Sequence, residues 1–150
     1  KQKRGAFVTL HKHNQLRGCV GYVTAAFPLL QTVIEMAKAA AFRDPRFEPL
    51  QASELEDIDI EISVLSPLVP MKSVDEIIIG VHGILLESGN RSGLVLPQVA
   101  TEYGWDPIAF LERTCHKAGL PKNAWKSSDT KIHIFSADVF SEKEFRQREN

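Results

Sequence analysis

The sequence predicts an α+β fold, a mainly antiparallel sheet flanked by helices. Three observations carry this reading. Asp57–Leu65 alternates strictly: Ile58, Ile60, Ile62 and Val64 take one face, and Asp57, Asp59, Glu61 and Ser63 the other. Period 2 with one polar face describes a strand wetted on one side, the common condition of antiparallel sheets. Two further pairs of strand-like runs are joined by short polar turns, as hairpins are. Amphipathic helical stretches are interspersed among them, each with its own start and stop signals.

Taken in order, Phe7–His11 and Leu16–Val23 flank the polar turn 12–15. Gly18 and Gly21 weaken the second run, and a strand tolerates such residues where something approaches its backbone closely. Pro28–Phe42 reads as a helix. Pro28 suits a first helical position, and Leu29, Val33, Met36, Ala37 and Ala40 form one stripe. Pro45 biases Asp44 away from helix and ends it. The loop 66–72, with Pro67 and Pro70, is the expected lobe boundary inside a single domain, 1–150; no Gly/Ser linker separates independent domains.

Ser73-Val74-Asp75-Glu76 has the capping-box pattern of a helix start. Val81–Glu87 and Gly93–Leu96 flank the turn 88–92. Pro97 opens a helical stretch to Tyr103 that Gly104 stops. Asp106-Pro107 caps the next helix, whose stripe is Ile108, Leu111, Cys115 and Ala118, with Gly119 at its end. Lys131–Ser136 is the expected last strand.

Composition excludes several classes. The chain has 150 residues, with 18 Lys+Arg against 19 Asp+Glu and a net charge of −1. That balance supplies no broad cationic face, so specific nucleic-acid binding is not expected. Two cysteines cannot form a disulfide framework, which points to a reducing, cytoplasmic setting. The longest apolar stretch, Ile77–Leu86, is interrupted by Gly80, His82 and Gly83. It falls short of the ~18 residues of a membrane span, and no membrane partner is expected. No leader-like apolar run follows the N-terminal Lys-Gln-Lys-Arg. The chain starts at Lys1 and enters a strand at once, so native N-terminal residues are expected to be missing.

Chemistry concentrates in Leu16-Arg17-Gly18-Cys19-Val20-Gly21. Arg17 and Cys19 have equal parity, which on a regular strand puts them on one face about 6–7 Å apart. A guanidinium near a thiol favours thiolate, the nucleophile. Gly18 and Gly21 would leave room for a ligand. The alternative is a small thiol packed under a helix, with the glycines permitting that packing. Spacing alone favours the alternative. His82 reads either as a hydrogen-bonded strand histidine or as a base. Arg43 and Arg46, with Asp44 between them, read as anion holders or as a group that closes a helix end by ion pairing. No Cys-x-x-Cys or His-x-x-x-His pair exists, so no metal is expected, although a site from distant residues such as Cys19 and His82 stays open. No nucleotide-binding glycine motif or nucleophile elbow occurs, and no cofactor is assigned. Lys122, Trp125 and Lys126 are a weak nucleic-acid footprint, and Trp125 reads better as a partly buried anchor.

The segment Leu-Arg-Gly-Cys-Val-Gly resembles the signature of the AMMECR family, with Val20 where the family usually has Ile. The resemblance extends through Gly5–Leu10, Arg43–Phe47, Glu61–Leu65, Gly80–Gly83, Gly93–Ala100, Gly104-Trp105, and Lys117–Leu120 with Trp125. It implies an α/β sandwich-like architecture with a larger and a smaller lobe around a cleft, and the cysteine signature near that cleft. It brings no settled activity. It implies association with a Memo-like protein and a radical S-adenosylmethionine protein in an uncharacterised pathway, an associational warrant only. The leading expectation is an accessory or catalytic subunit with Cys19 and Arg17 at its centre, His82 as base, and Arg43 or Arg46 as anion holders. The rival is a non-catalytic module gripping a peptide, protein or nucleic acid. A reactive Cys19 favours the first, an inert one the second.

Overall fold

A hairpin opens the chain. The computed structural model describes residues 4–24 and 26–144. The described residues form two compact units, one within 1–66 and 138–150 and one within 67–137.

In the first unit, β1 (Ala6–Lys12) is antiparallel to both β2 (Gln15–Tyr22) and β3 (Ile58–Leu65). The turn between β1 and β2 places His13 and Asn14 at φ 52° and 64°. Two left-handed central residues make the hairpin turn whose twist matches its strands. Register runs from Ala6 opposite Tyr22 to Leu10 opposite Gly18, then jumps to His11 opposite Leu16. Arg17 is therefore an extra residue, a β-bulge. Helix α1 (Leu29–Phe42) packs Met36, Ala39 and Ala40 on Val8, Leu10 and Ile58. Gly18 permits this approach, because a Cβ there would lie 2.2 Å from the Ala40 carbonyl oxygen.

Two expectations are corrected in this unit. The buried stripe of α1 is Thr32, Met36, Ala39 and Ala40, while Leu29, Val33 and Ala37 are only half-buried. The small residues face the sheet because the helix comes closest there. The polar face of β3 is only partly wet: Ser63 is fully buried, while Asp59 and Glu61 are half-buried. Alternation says which residues share a face, not what lies over it.

In the second unit, β5 (His82–Ser88) lies between β6 (Arg91–Val95) and β7 (Lys131–Ser141), antiparallel to both, and the two-residue β4 (Val69–Pro70) pairs with β7. β7 outruns the expected Ser136, and its last residues belong to the first unit. Ser88 pairs with Arg91, so the hairpin loop is only Gly89-Asn90, tighter than expected. Helix α2 (Pro97–Tyr103) ends on Gly104 at φ 68°, and Asp106 caps α3 (Pro107–Lys117) by accepting the Ala109 N–H at 2.7 Å. Ser73 and Glu76 form the expected capping box on a single 3-10 turn.

The core of this unit gathers Ile84, Leu86, Val95, Phe110, Leu111, Cys115 and Ile134. The stripe of α3 is thus Phe110, Leu111, Thr114 and Cys115. Ile108, expected inside, is 41% exposed, since it sits in the first turn on the opposite side from Phe110. Cys115 is fully buried, and burial pushes its thiol up from the ordinary range. A buried neutral thiol reacts slowly. Alkylation of the native protein is expected to spare Cys115 until the protein unfolds; rapid labelling under native conditions would contradict this packing.

Candidate functional site

The outer edge of β2 organises the first unit's polar groups. Among the described residues β2 pairs only with β1, so on its other side alternate residues turn their backbone N–H and C=O outward. At Cys19 both outward groups are taken. Its N–H donates to Asp44 Oδ2 at 3.0 Å, and its carbonyl accepts from Arg46 Nη2 at 3.3 Å. Asp44 also accepts from the Arg46 backbone N–H, Nε and Nη2 at 3.1, 3.0 and 2.8 Å. The loop that ends α1 thus closes onto the strand like a clamp. Asp44 is only 6% exposed. The Arg46 guanidinium holds its carboxyl at about 2; burial opposes the shift, and the Cys19 N–H adds to it.

The bulge sends Arg17 elsewhere. Its Nε and Nη2 each donate to Glu54 at 3.1 Å, a two-pronged pair, and Nη2 also reaches the Glu48 carbonyl at 2.8 Å. Lys12 adds a 3.0 Å contact to the same carboxylate. The Arg17 guanidinium, with the Gln51 N–H and Lys12, holds Glu54 at about 2. Cys19, half-buried, shares a 3.3 Å hydrogen bond between its Sγ and Thr9 Oγ1. Equal parity therefore does not translate into a shared environment, because it presumed a strand without a bulge.

A cavity of about 470 Å³ adjoins the next stretch of β2. Val20, Gly21 and Tyr22 line it with Phe27 and, from α1 and its end, Met36, Glu35 and Arg43. The Tyr22 and Phe27 rings stand 6.1 Å apart, and Arg43 pairs with Glu35 at 3.8 Å. Since Cys19 turns outward, the period of two also turns the N–H and C=O of Gly21 outward, and these have no partner among the described residues. A Cβ at Gly21 would strike the Phe7 ring at 2.4 Å, so that ring fills the space the glycine leaves.

The structure thus brings Arg43, Gly18, Gly21, Cys19 and Arg46 to β2 and the helix over it, with Arg17 at its bulged end. His82 belongs to the second unit, where its Nδ1 accepts the Ile78 N–H at 3.0 Å. Trp125 is half-buried, with Lys126 Nζ 5.4 Å from its ring. Among the described residues no group of three or more His, Cys, Asp or Glu is placed to hold a metal, and no helix is long and apolar enough to cross a membrane. The ion pair of Asp44 and Arg46 is the helix-end closure the sequence offered as one reading; sequence reasoning missed that Asp44 also takes the Cys19 N–H, and missed Glu54 as the partner of Arg17. Gln51-x-x-Glu54 was a usable signal: it is a capping box, and Glu54 accepts the Gln51 N–H at 2.8 Å.

These features define the class: a two-unit α+β protein on antiparallel sheets, with a cysteine-bearing edge strand clamped by an Asp-Pro-Arg loop. The chain belongs to the AMMECR1 family, whose model matches residues 1–140. It is similar to a protein of Methanothermobacter thermautotrophicus, 47% identical over 148 residues and covering 95% of this chain and 77% of the relative. A protein of Methanopyrus kandleri is 49% identical over 152 residues, covering 95% and 73%. The fold is similar to the crystal structure of an uncharacterized protein from Pyrococcus horikoshii, with a TM-score of 0.91 at 41% identity over 94% of this chain and 74% of that one.

Proposed function

We propose that this chain is a non-catalytic binding module of the cytoplasm that takes an extended polypeptide segment along the outer edge of β2. The outward backbone of Gly21 beside an apolar cavity carries this reading. Addition of a strand to an exposed edge draws affinity from backbone hydrogen bonds and specificity from pockets for alternate side chains. Tyr22, Phe27 and Met36 offer such a pocket, and Glu35 and Arg43 stand at it as polar markers of register. The Asp44–Arg46 clamp ends the available edge at Cys19. The resemblance to AMMECR proteins supports placing the module in a pathway with Memo-like and radical S-adenosylmethionine proteins, whose segments are the first peptides to try.

A nucleophilic Cys19, with Arg17 as activator, His82 as base and Arg43 or Arg46 holding an anion, is the weaker reading. The guanidinium that would stabilise a thiolate is engaged by Glu54, and Arg46 by Asp44. Rapid alkylation of Cys19 at neutral pH, slowed by Arg17→Met, would restore it.

The module is tested with peptides selected from a displayed random library on the native protein. Bound peptides are expected to slow hydrogen exchange at the Gly21 amide. Phe27→Asp is expected to weaken them about tenfold or more, whereas Leu55→Asp, at an exposed apolar site away from the cavity, leaves them unchanged. Peptides that ignore Phe27→Asp or leave Gly21 unprotected would end the proposal.

A further inference from the structure

We propose that the second unit carries a separate binding site for a small planar aromatic anion of the nucleoside monophosphate class. A cavity of about 470 Å³ lies there, within the ordinary size range of small-molecule sites. Its walls combine Val95 and Val99, the rings of Tyr103 and Trp105, and the cationic or protonatable side chains Arg113, His116 and Lys117. Among the described residues, no aspartate or glutamate lines it.

The aromatic half follows from local backbone. Gly104, left-handed at φ 68°, turns the chain after α2 so that Tyr103 and Trp105 stack, with centroids 5.3 Å apart and planes 16° from parallel. Trp105 is held from the core side by Phe110 at 6.1 Å. Tyr103 is 66% exposed, so the face it does not give to Trp105 is open. An exposed aromatic plane on an anchored stack is a platform that a further flat ring extends.

The charged half follows from helix period. Arg113, His116 and Lys117 are spaced three and four apart on α3 and share one side of it. The Arg113 guanidinium lies 5.8 Å from the Trp105 ring centroid, beside the stack rather than away from it. Lys117 Nζ donates to the Leu94 carbonyl at 2.5 Å, which fixes its ammonium at the cavity wall. Cations in a last helical turn also complement the helix dipole. That role accounts for His116 and Lys117 alone; Arg113, a turn earlier and packed on the aromatic stack, is outside it. In a chain of net charge −1, three such groups around one cavity, with no carboxylate among its described lining residues, form a local anion site. A base on Tyr103 with its phosphate toward Arg113 uses both halves together.

One stacking plane takes one base. Binding of a strand needs a track of several stacking and phosphate contacts, and the balanced charge supplies none. The site is therefore assigned to the free nucleotide.

Calorimetric titration with each of the four nucleoside monophosphates, with adenosine, with inorganic phosphate and with an oligonucleotide of about ten residues tests this. Saturable binding of at least one monophosphate is expected, with adenosine and phosphate each weaker by about tenfold or more. Tyr103→Ala and Arg113→Gln, both at exposed positions, are each expected to weaken the nucleotide about tenfold while leaving the thermal midpoint in place. His116→Gln gives a further variant should either of these fail to fold. No saturable binding at millimolar nucleotide, binding indifferent to all three variants, or adenosine binding as tightly as AMP would each overturn the proposal. An oligonucleotide tighter than every monophosphate, and equally sensitive to Tyr103→Ala, would overturn it in favour of a nucleic-acid strand.

Discussion

Gly18→Ala is expected to lower the stability of the protein by about 2–3 kcal/mol, the upper range for forcing an extra methyl into a packed interface. The added Cβ would meet the Ala40 carbonyl oxygen at 2.2 Å and its carbon at 3.1 Å. Those atoms are helix backbone, so no side chain can swing aside and α1 must withdraw as a body. Its buried face of Thr32, Met36, Ala39 and Ala40 loses contact with Val8, Leu10 and Ile58 as it does so. The same movement alters the cavity, to which α1 gives Met36 and Ala39, so peptide binding falls along with stability. Gly89→Ala is the control, since a Cβ there meets nothing within 4 Å and its φ of 61° costs only about 1–2 kcal/mol. Urea denaturation measures both. A Gly18→Ala loss no greater than that of an ordinary surface change, about 0.5 kcal/mol, would show that the helix is not seated on this glycine.

What the sequence disclosed and what it hid divide along a physical line. Features set by neighbours in the chain were legible: the polar turn before β2, the Asp106-Pro107 start of α3, the Gly104 stop, and the Ser73 capping box. The antiparallel class followed from the same local signals, because Ile58–Val64 alternates whatever lies above it. Features set by distant residues were not legible. The parity of Arg17 and Cys19 was correct arithmetic on a regular strand, but the extra residue at Arg17 appears only when β2 is laid against β1. Ile108 was expected inside and is exposed, while Phe110, outside the expected stripe, is buried, because the 3.6-residue pattern fits either until the sheet fixes which side is covered. Ser63 looked solvated because it alternates with isoleucines. At the candidate site, Gly18 and Gly21 announced close approach correctly, yet could not say that Ala40 and the Phe7 ring are what approach. Glu54, far from the signature in sequence, offered only its capping box.

Asp44→Asn is expected to destabilise the protein by about 2 kcal/mol at neutral pH and by much less near pH 2. The native carboxyl, held at about 2 by the Arg46 guanidinium, lies below its ordinary value of 3.8. The folded state therefore binds this proton more weakly than the unfolded chain does. The stabilisation is fully present above about pH 4 and is lost as pH falls through the native value, so wild type and variant converge in acid. Asparagine keeps an acceptor for the Cys19 N–H but gives up the charge that Arg46 pairs with, so the difference isolates the ionic part of the clamp. Glu54, likewise held at about 2, weakens over the same window, and Glu54→Gln separates the two contributions where pH alone cannot. Opening the clamp also releases the outward groups of Cys19, which lengthens the free edge of β2 by two residues. Peptides that bind at Gly21 should then tolerate longer extended segments on Asp44→Ala than on wild type. A stability difference between wild type and Asp44→Asn that stays constant from pH 7 to pH 2 would show that Asp44 acts through shape rather than charge, and that the pairing with Arg46 contributes nothing to holding the loop on the strand.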